Sequence, residues 1–118
     1  MTLSNERQSL ASFQPTNAGD WPVLKIFGEV DVSNAASMTA AISDILERSD
    51  HLVIDLDEVT FMDSRALAVL IRASQRATEK GLRLVTATPR LIQLFQLSGV
   101  SDLFEVYPSV DAAIAEPI

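Results

Sequence analysis

The sequence predicts a single α/β domain with a mixed, mostly parallel sheet of about five strands and about four helices. Strand-like apolar segments alternate along the chain with segments of helical periodicity, which is typical of βαβ units. The length of 118 residues and the apolar fraction of 47% suit one compact domain. We place this domain at residues 8–115 and expect the polar residues 1–7 to form a flexible N-terminal segment.

The first two strands are predicted to form an antiparallel pair. A weak apolar pattern marks residues 10–14 as a strand, and residues 21–30 carry a stronger one. The stretch between them, residues 15–20 (PTNAGD), contains Pro, Asn, Gly and Asp, and these residues predict a turn.

A helix follows, with Ser33 or Asn34 as its predicted N-cap. Apolar residues at spacings of three and four predict its buried face: Met38, Ala41, Ile42, Ile45 and Leu46. Residues 51–56 (HLVIDL) are predicted to form a short strand, and residues 57–62 to connect it to the next helix.

The second helix is predicted over residues 64–80, closed by Gly81, and a strand is predicted over residues 82–86. Thr88 and Pro89 are suited to the cap and first position of a third helix, and its end is predicted from a C′ glycine at residue 99. Its apolar residues should lie mostly in the core, with some forming a surface patch: Leu91, Leu94, Phe95 and Leu97.

A last strand is predicted at residues 103–106, and a last helix is marked by Val110, Ala113 and Ile114. The predicted order is therefore β-β-α-β-α-β-α-β-α.

The stretch with most functional information surrounds Ser64, a hydroxyl residue at the start of a strongly apolar helix. Ser is a preferred N-cap, so this role is one interpretation. Phosphorylation is the other, because a phosphate at a helix N-terminus meets N–H donors and the positive end of the helix dipole. The preceding Phe61 and Met62 lie where a polar loop is expected, so they are either core residues or part of an exposed binding rim.

Composition argues against several other functions. The net charge of −7 and the scattered Lys and Arg residues exclude nucleic acid as the main partner, and no cysteine is present to bind a metal. The longest apolar run, residues 66–71, is too short for membrane insertion, so we expect a soluble cytoplasmic protein. The single histidine, His51, has no nucleophile arranged with it by motif. We therefore expect neither an enzyme nor a cofactor or metal site.

Asp55 and Asp57 alternate with Leu56, as in the acidic cluster of a phospho-accepting receiver domain. A receiver also needs a lysine after its fifth strand, and no lysine follows Lys80. The receiver interpretation is therefore rejected.

Two motifs in register resemble a known family: GEVDVSNA at residues 28–35 and IDLDEVTFMDSRALAVL at residues 54–70. They are similar to the STAS domain of bacterial anti-sigma-factor antagonists. The resemblance implies partner switching, in which the antagonist binds an anti-sigma factor that is also a serine kinase and thereby frees a sigma factor. It also implies that phosphorylation of Ser64 ends the binding and that Asp31 and Asp63 are the matching acidic residues.

The sequence departs from the family pattern at two positions. Arg65 stands where Ser or Thr is usual, and this places a cation beside the candidate phosphosite. Ala66 replaces a glycine, and its methyl group predicts a hindrance to close approach of a partner. The predicted partner-binding residues are Asp31, Phe61, Met62, Asp63, Ser64 and Arg65.

The departures keep a second function open, that of a non-switching STAS subunit of a larger assembly such as a lipid-transport ATPase or a stress-signalling complex. The resemblance also allows a homodimer formed through apolar helix faces.

Overall fold

The computed structural model describes residues 10–78, 81–100 and 102–117. Within these ranges, strands and helices alternate in the predicted order: β1 (Ala11–Ala18), β2 (Trp21–Val30), α1 (Ala35–Leu46), β3 (Leu52–Met62), α2 (Ser64–Arg76), β4 (Leu82–Val85), α3 (Pro89–Leu97), β5 (Glu105–Tyr107) and α4 (Val110–Ala115). The predicted N-terminal segment, residues 1–7, lies outside the described residues.

The strands form one sheet in the order β1-β2-β3-β4-β5. β1 runs antiparallel to β2, and every other neighbouring pair is parallel. The predicted fold class is therefore confirmed. Because β2, β3 and β4 are parallel, their carboxyl ends, and the loops that leave them, lie at the same end of the sheet.

The sheet is buried on both faces, but unequally. The larger apolar cluster lies between one face and α1, α2 and α3. On α1 it contains Met38, Ile42 and Ile45, which confirms the predicted helical face. The smaller cluster lies beneath α4 on the other face and includes Trp21 and Val53.

The predicted turn at residues 15–20 is wrong, because β1 continues to Ala18. Pro15 stands opposite Leu24 in the ladder. β1 is an edge strand, where a proline that lacks an N–H group is tolerated. The turn itself is confined to Gly19 and Asp20, and the positive φ of 59° at residue 19 is readily adopted by glycine.

The predicted end of the third strand at residue 56 is also wrong. β3 continues to Met62 and pairs with β2 as far as the Val30–Met62 position. The pairing shifts register in two places, between Lys25 and Phe27 and again between Gly28 and Glu29. The residues predicted as a loop therefore extend the strand to the start of α2.

α2 is shorter than predicted, because the helix ends at Arg76 and the next residue is extended. Gly81 does not close it. A Cβ atom at residue 81 would lie 2.8 Å from the carbonyl oxygen of Asp50, so glycine is needed there for a close backbone approach. The last two residues of the predicted helix, 79 and 80, lie outside the described ranges.

α3 begins with Pro89 at its first turn and is followed by Gly99 at a φ of 71°, as predicted. Its residues Leu91 and Phe95 are buried, whereas Leu97 is 80% exposed. Across the described ranges, no helix has the length and apolar character needed to cross a bilayer.

Candidate functional site

The site lies where the carboxyl ends of β2 and β3 meet. These strands are paired up to Val30 and Met62, and the backbone N–H of Asp63 donates a hydrogen bond to the carbonyl of Val30 at 3.2 Å. The loop between β2 and α1 therefore lies directly beside the start of α2. Parallel pairing thus brings together two segments that are far apart in the sequence.

Side chains of the β2–α1 loop hold it in a fixed shape. The buried Asn34 accepts a hydrogen bond from the N–H of Asp31 and donates one to the carbonyl of Glu29. The carboxylate of Asp31 accepts hydrogen bonds from the N–H and hydroxyl of Ser33, as in an Asx turn. Asn34 occupies the N-cap position of α1, but its side chain makes no capping hydrogen bond. Its amide instead orders the loop that carries Asp31.

The N-cap of α2 is Asp63, not Ser64. One carboxylate oxygen of Asp63 accepts hydrogen bonds from the N–H of Arg65 at 2.9 Å and from the N–H of Ala66 at 3.1 Å. A negative charge at this position also interacts favourably with the helix dipole. The predicted capping role of Ser64 is therefore wrong by one position, and Ser64 is the first residue of the helix.

Ser64 is exposed, and its hydroxyl makes no hydrogen bond with the described residues. Ser64 therefore lies at the surface of the described part of the chain. Arg65 is exposed beside it, whereas Ala66 is fully buried. The methyl group of Ala66 faces the core, so the hindrance to partner approach predicted from it is not found.

The two apolar residues before Asp63 differ in their surroundings. Phe61 is 45% exposed, whereas Met62 is only 6% exposed and lies in the larger core cluster. Met62 therefore offers little surface to a partner and does not form part of the exposed surface around Ser64. Val32 in the neighbouring loop is 64% exposed and was missed by the sequence reasoning. Its signal was a single apolar residue inside the polar stretch DVSN.

The remaining acidic and histidine candidates have structural partners of their own. Asp55 accepts a hydrogen bond from the N–H of Asp57, whose carboxylate in turn accepts one from the N–H of Ala87. His51 precedes β3 and so lies at the opposite end of that strand from Ser64. Its Nδ1 atom is 2.9 Å from the carboxylate of Asp50, and this hydrogen bond lowers the pKa of that carboxyl group.

The exposed Ser64 lies in the sequence between two charged residues, Asp63 with its capping carboxylate and Arg65 with its guanidinium group. In the described ranges, no group of three or more His, Cys, Asp or Glu side chains is arranged to hold a metal ion. Accessible apolar and charged side chains on two adjoining segments form a surface suited to another protein. We use "Ser64 surface" for the following exposed or half-buried residues: Asp31, Val32, Phe61, Asp63, Ser64 and Arg65.

This mixed five-strand sheet with its four helices is the fold of STAS domains, and residues 13–113 match the STAS domain family. The chain belongs to that family. Among curated relatives, it is 31% identical over 85 residues to an anti-sigma-B factor antagonist of Bacillus subtilis, covering 70% of this chain and 78% of the relative.

Solved structures agree with this assignment. An anti-sigma factor antagonist from Mycobacterium paratuberculosis superposes with a TM-score of 0.82 at 27% identity, covering 88% of this chain and 91% of that one. The Bacillus cell fate determinant SpoIIAA in its phosphorylated form has a TM-score of 0.64 at 21% identity, covering 86% and 96%. Its unphosphorylated form has a TM-score of 0.69. At this identity, the likeness to SpoIIAA concerns the fold alone.

Proposed function

We propose that this chain is an anti-sigma-factor antagonist. In this proposal, residues 8–115 form a domain that binds an anti-sigma factor with serine kinase activity and so releases a sigma factor. Phosphorylation of Ser64 by that kinase switches the binding off. The role is one of binding, with no catalytic step carried out by this chain.

One observation carries the proposal, namely the exposure of Ser64 at the first position of α2, where its hydroxyl makes no hydrogen bond with any described residue. The adjoining residues supply what a protein interface needs, with Val32 and Phe61 as apolar contacts and Arg65 as a charged one. The Bacillus subtilis relative is named an anti-sigma-B factor antagonist, and SpoIIAA, which shares the fold, has been solved in phosphorylated and unphosphorylated forms.

A phosphate on Ser64 would change the surface more than the fold. It adds about 1.5–2 negative charges at neutral pH. The N–H groups of Arg65 and Ala66 already donate to the carboxylate of Asp63, so the phosphate has to compete with Asp63 or stay at the surface. In either case, negative charge accumulates at the centre of the Ser64 surface, where a bound partner would have to desolvate it.

The first test is direct phosphorylation. The purified chain is incubated with ATP and each candidate anti-sigma kinase from the source genome, and the modified residue is located by mass spectrometry. The proposal predicts one phosphate, on Ser64, and none on the Ser64→Ala variant. Phosphate only on other residues, or on none, would contradict the switch.

The second test is binding by three forms: wild type, Ser64→Ala and Ser64→Glu. We expect the first two to bind the anti-sigma factor with similar Kd values, and Ser64→Glu to bind at least about tenfold more weakly because a charge is placed inside the interface. Ser98→Glu is the matched control, because Ser98 is also exposed but follows α3, so it lies at the opposite end of the sheet. It should bind like the wild type.

Equal binding by the wild type and Ser64→Glu would refute the proposed switch while leaving a binding role intact. That result would favour the non-switching STAS subunit of a larger assembly. Failure of the wild type to bind any of the anti-sigma factors would reject the antagonist function itself.

A further inference from the structure

α2 carries a stripe of three arginines on its exposed side: Arg65, Arg72 and Arg76. Arg72 is seven residues after Arg65, and Arg76 is four residues further. At 3.6 residues per turn, the three side chains leave the helix within about 40° of one another and span about 16 Å along its axis. We call these three residues the arginine stripe.

The positive charge of the stripe contrasts with the negative net charge of the chain. The net charge is −7, with 16 acidic and 9 basic residues, yet α2 contains no acidic residue. None of the three arginines forms an ion pair with a described residue, and Arg76 donates one hydrogen bond, to the hydroxyl of Ser43 at 2.7 Å. The positive charge of the stripe is therefore not neutralised within the described part of the fold.

A cleft lies beside the arginine stripe. This cleft of about 120 Å³ between α1 and α2 has Arg72 and Arg76 on one side and the hydroxyl residues Thr39 and Ser43 on the other. Its lining contains no acidic side chain, and its remaining residues are apolar. The cleft thus combines cationic groups and hydroxyl donors, both of which suit carboxylate groups of a partner.

Two features of the stripe are unfavourable for the helix alone, whereas Arg76, in the last turn, interacts favourably with the helix dipole. A cation in the first turn, at Arg65, opposes the positive end of the helix dipole. Arg72 and Arg76 are four residues apart, a spacing at which like charges destabilise a helix. A helix selected only for stability would carry an acidic residue at position 65 or 72, so these two arginines point to an intermolecular role.

We propose that the arginine stripe docks an acidic surface of the anti-sigma factor, which extends the Ser64 surface along α2. The inference rests on the proposed function. Continuity supports it, because the stripe begins at Arg65, next to Ser64. Charge complementarity identifies the partner surface as acidic. Nucleic acid is disfavoured as the occupant, because a phosphate backbone would be repelled by the strongly acidic remainder of the chain.

The stripe also accounts for the effect of a phosphate on Ser64. An acidic partner is attracted by the stripe and repelled by negative charge added at its end. In this proposal, phosphorylation offsets about 1.5–2 of the three positive charges of the stripe, and so weakens the attraction for the partner's carboxylates most strongly at the Arg65 end.

The test compares two double variants that change net charge equally. R72E/R76E reverses the stripe. R48E/R90E is the matched control, since Arg48 is exposed just after the end of α1, Arg90 is exposed on α3, and neither belongs to the Ser64 surface. Kd is measured by calorimetry against the anti-sigma factor that binds the wild type, at about 0.1 M salt, where the Debye length is about 10 Å, and at about 1 M, where it is about 3 Å.

We expect R72E/R76E to bind about tenfold or more weakly at low salt, with a smaller difference at high salt, and R48E/R90E to change Kd by less than about twofold. The single variant R72E serves as the folding control. It places an acid four residues before Arg76, so it should unfold at a slightly higher denaturant concentration than the wild type while binding more weakly.

Equal Kd values for R72E/R76E and the wild type would overturn the inference but leave the antagonist function standing. Absence of wild-type binding would overturn both. Duplex DNA and anionic phospholipid vesicles serve as further probes. Wild-type binding to either, lost in R72E/R76E, would assign the stripe to that ligand and also overturn the inference.

Discussion

Replacing Asp63 and Ser64 separately by alanine decides which residue caps α2. Asp63→Ala removes a carboxylate that accepts hydrogen bonds from two backbone N–H groups, of Arg65 and Ala66. Loss of an N-cap costs about 1 kcal/mol, and loss of a favourable charge at the helix start costs about 0.3–1 kcal/mol. We therefore expect the free energy of unfolding to fall by about 1–2 kcal/mol.

Ser64→Ala removes a hydroxyl that bonds to nothing in the described residues, and alanine has the higher helix propensity. Its effect should lie within about 0.5 kcal/mol. At about 2.1 cal/mol/K of unfolding entropy per residue, the chain should lose about 4–8 °C in Tm from Asp63→Ala and about 2 °C at most from Ser64→Ala.

Urea unfolding followed by the fluorescence of Trp21 measures both changes. Trp21 is the chain's single tryptophan and is 5% exposed, so its environment changes strongly on unfolding. Asp63→Asn is the matched control, because asparagine caps helices as well as aspartate does but lacks the charge, and its cost should be about 0.3–1 kcal/mol. A large loss from Ser64→Ala with little from Asp63→Ala would refute the assignment of the cap.

Two further predictions concern the backbone and the single tyrosine. Gly28→Ala should destabilise the fold by about 3 kcal/mol or more, because the added Cβ atom would overlap the backbone carbonyl of Leu10, just before β1, and residue 28 has a φ of 92°. Gly99→Ala, at a φ of 71° but with open space around it, should cost only about 1–2 kcal/mol in the same urea assay, and equal costs would contradict the steric explanation. Burial and a hydrogen bond to a carboxylate raise the pKa of Tyr107 to about 12. Ultraviolet absorbance of the phenolate should therefore show a titration midpoint at about pH 12 for the folded protein and at about pH 10 in urea. The free energy of unfolding should fall as the pH rises between these two values, because the unfolded chain releases the tyrosine proton first. A midpoint at about pH 10 for the folded protein would contradict the raised pKa.

The fold class and the order of elements were predictable because the alternation of strand-like and helix-like apolar patterns can be read from a single sequence. The wrong ends predicted for β1 and β3 have one cause. Pro15 and the polar residues around Asp57 are typical of turns, but pairing with β2 keeps both segments extended. Only the neighbouring strand supplies this information, since an edge position tolerates a proline and an exposed face tolerates acidic side chains.

The position of the site was predictable, but its internal geometry was not. Asp63 and Ser64 are both good caps and adjacent in sequence, so only the hydrogen bonds of the folded chain distinguish them. The opposite exposures of Phe61 and Met62 depend on which face of β3 each side chain meets, and the bulges in the β2–β3 pairing hide that alternation from the sequence.

The most direct test of the central claim uses the protein phosphorylated fully at Ser64. Its backbone amide NMR spectrum and its urea midpoint are compared with those of the unphosphorylated protein, and calorimetry then measures the affinity of each for the anti-sigma factor. We predict spectral changes confined to the Ser64 surface and the adjoining part of α2, a nearly unchanged midpoint, and loss of binding. Undiminished binding by the phosphorylated protein would contradict the proposed switch.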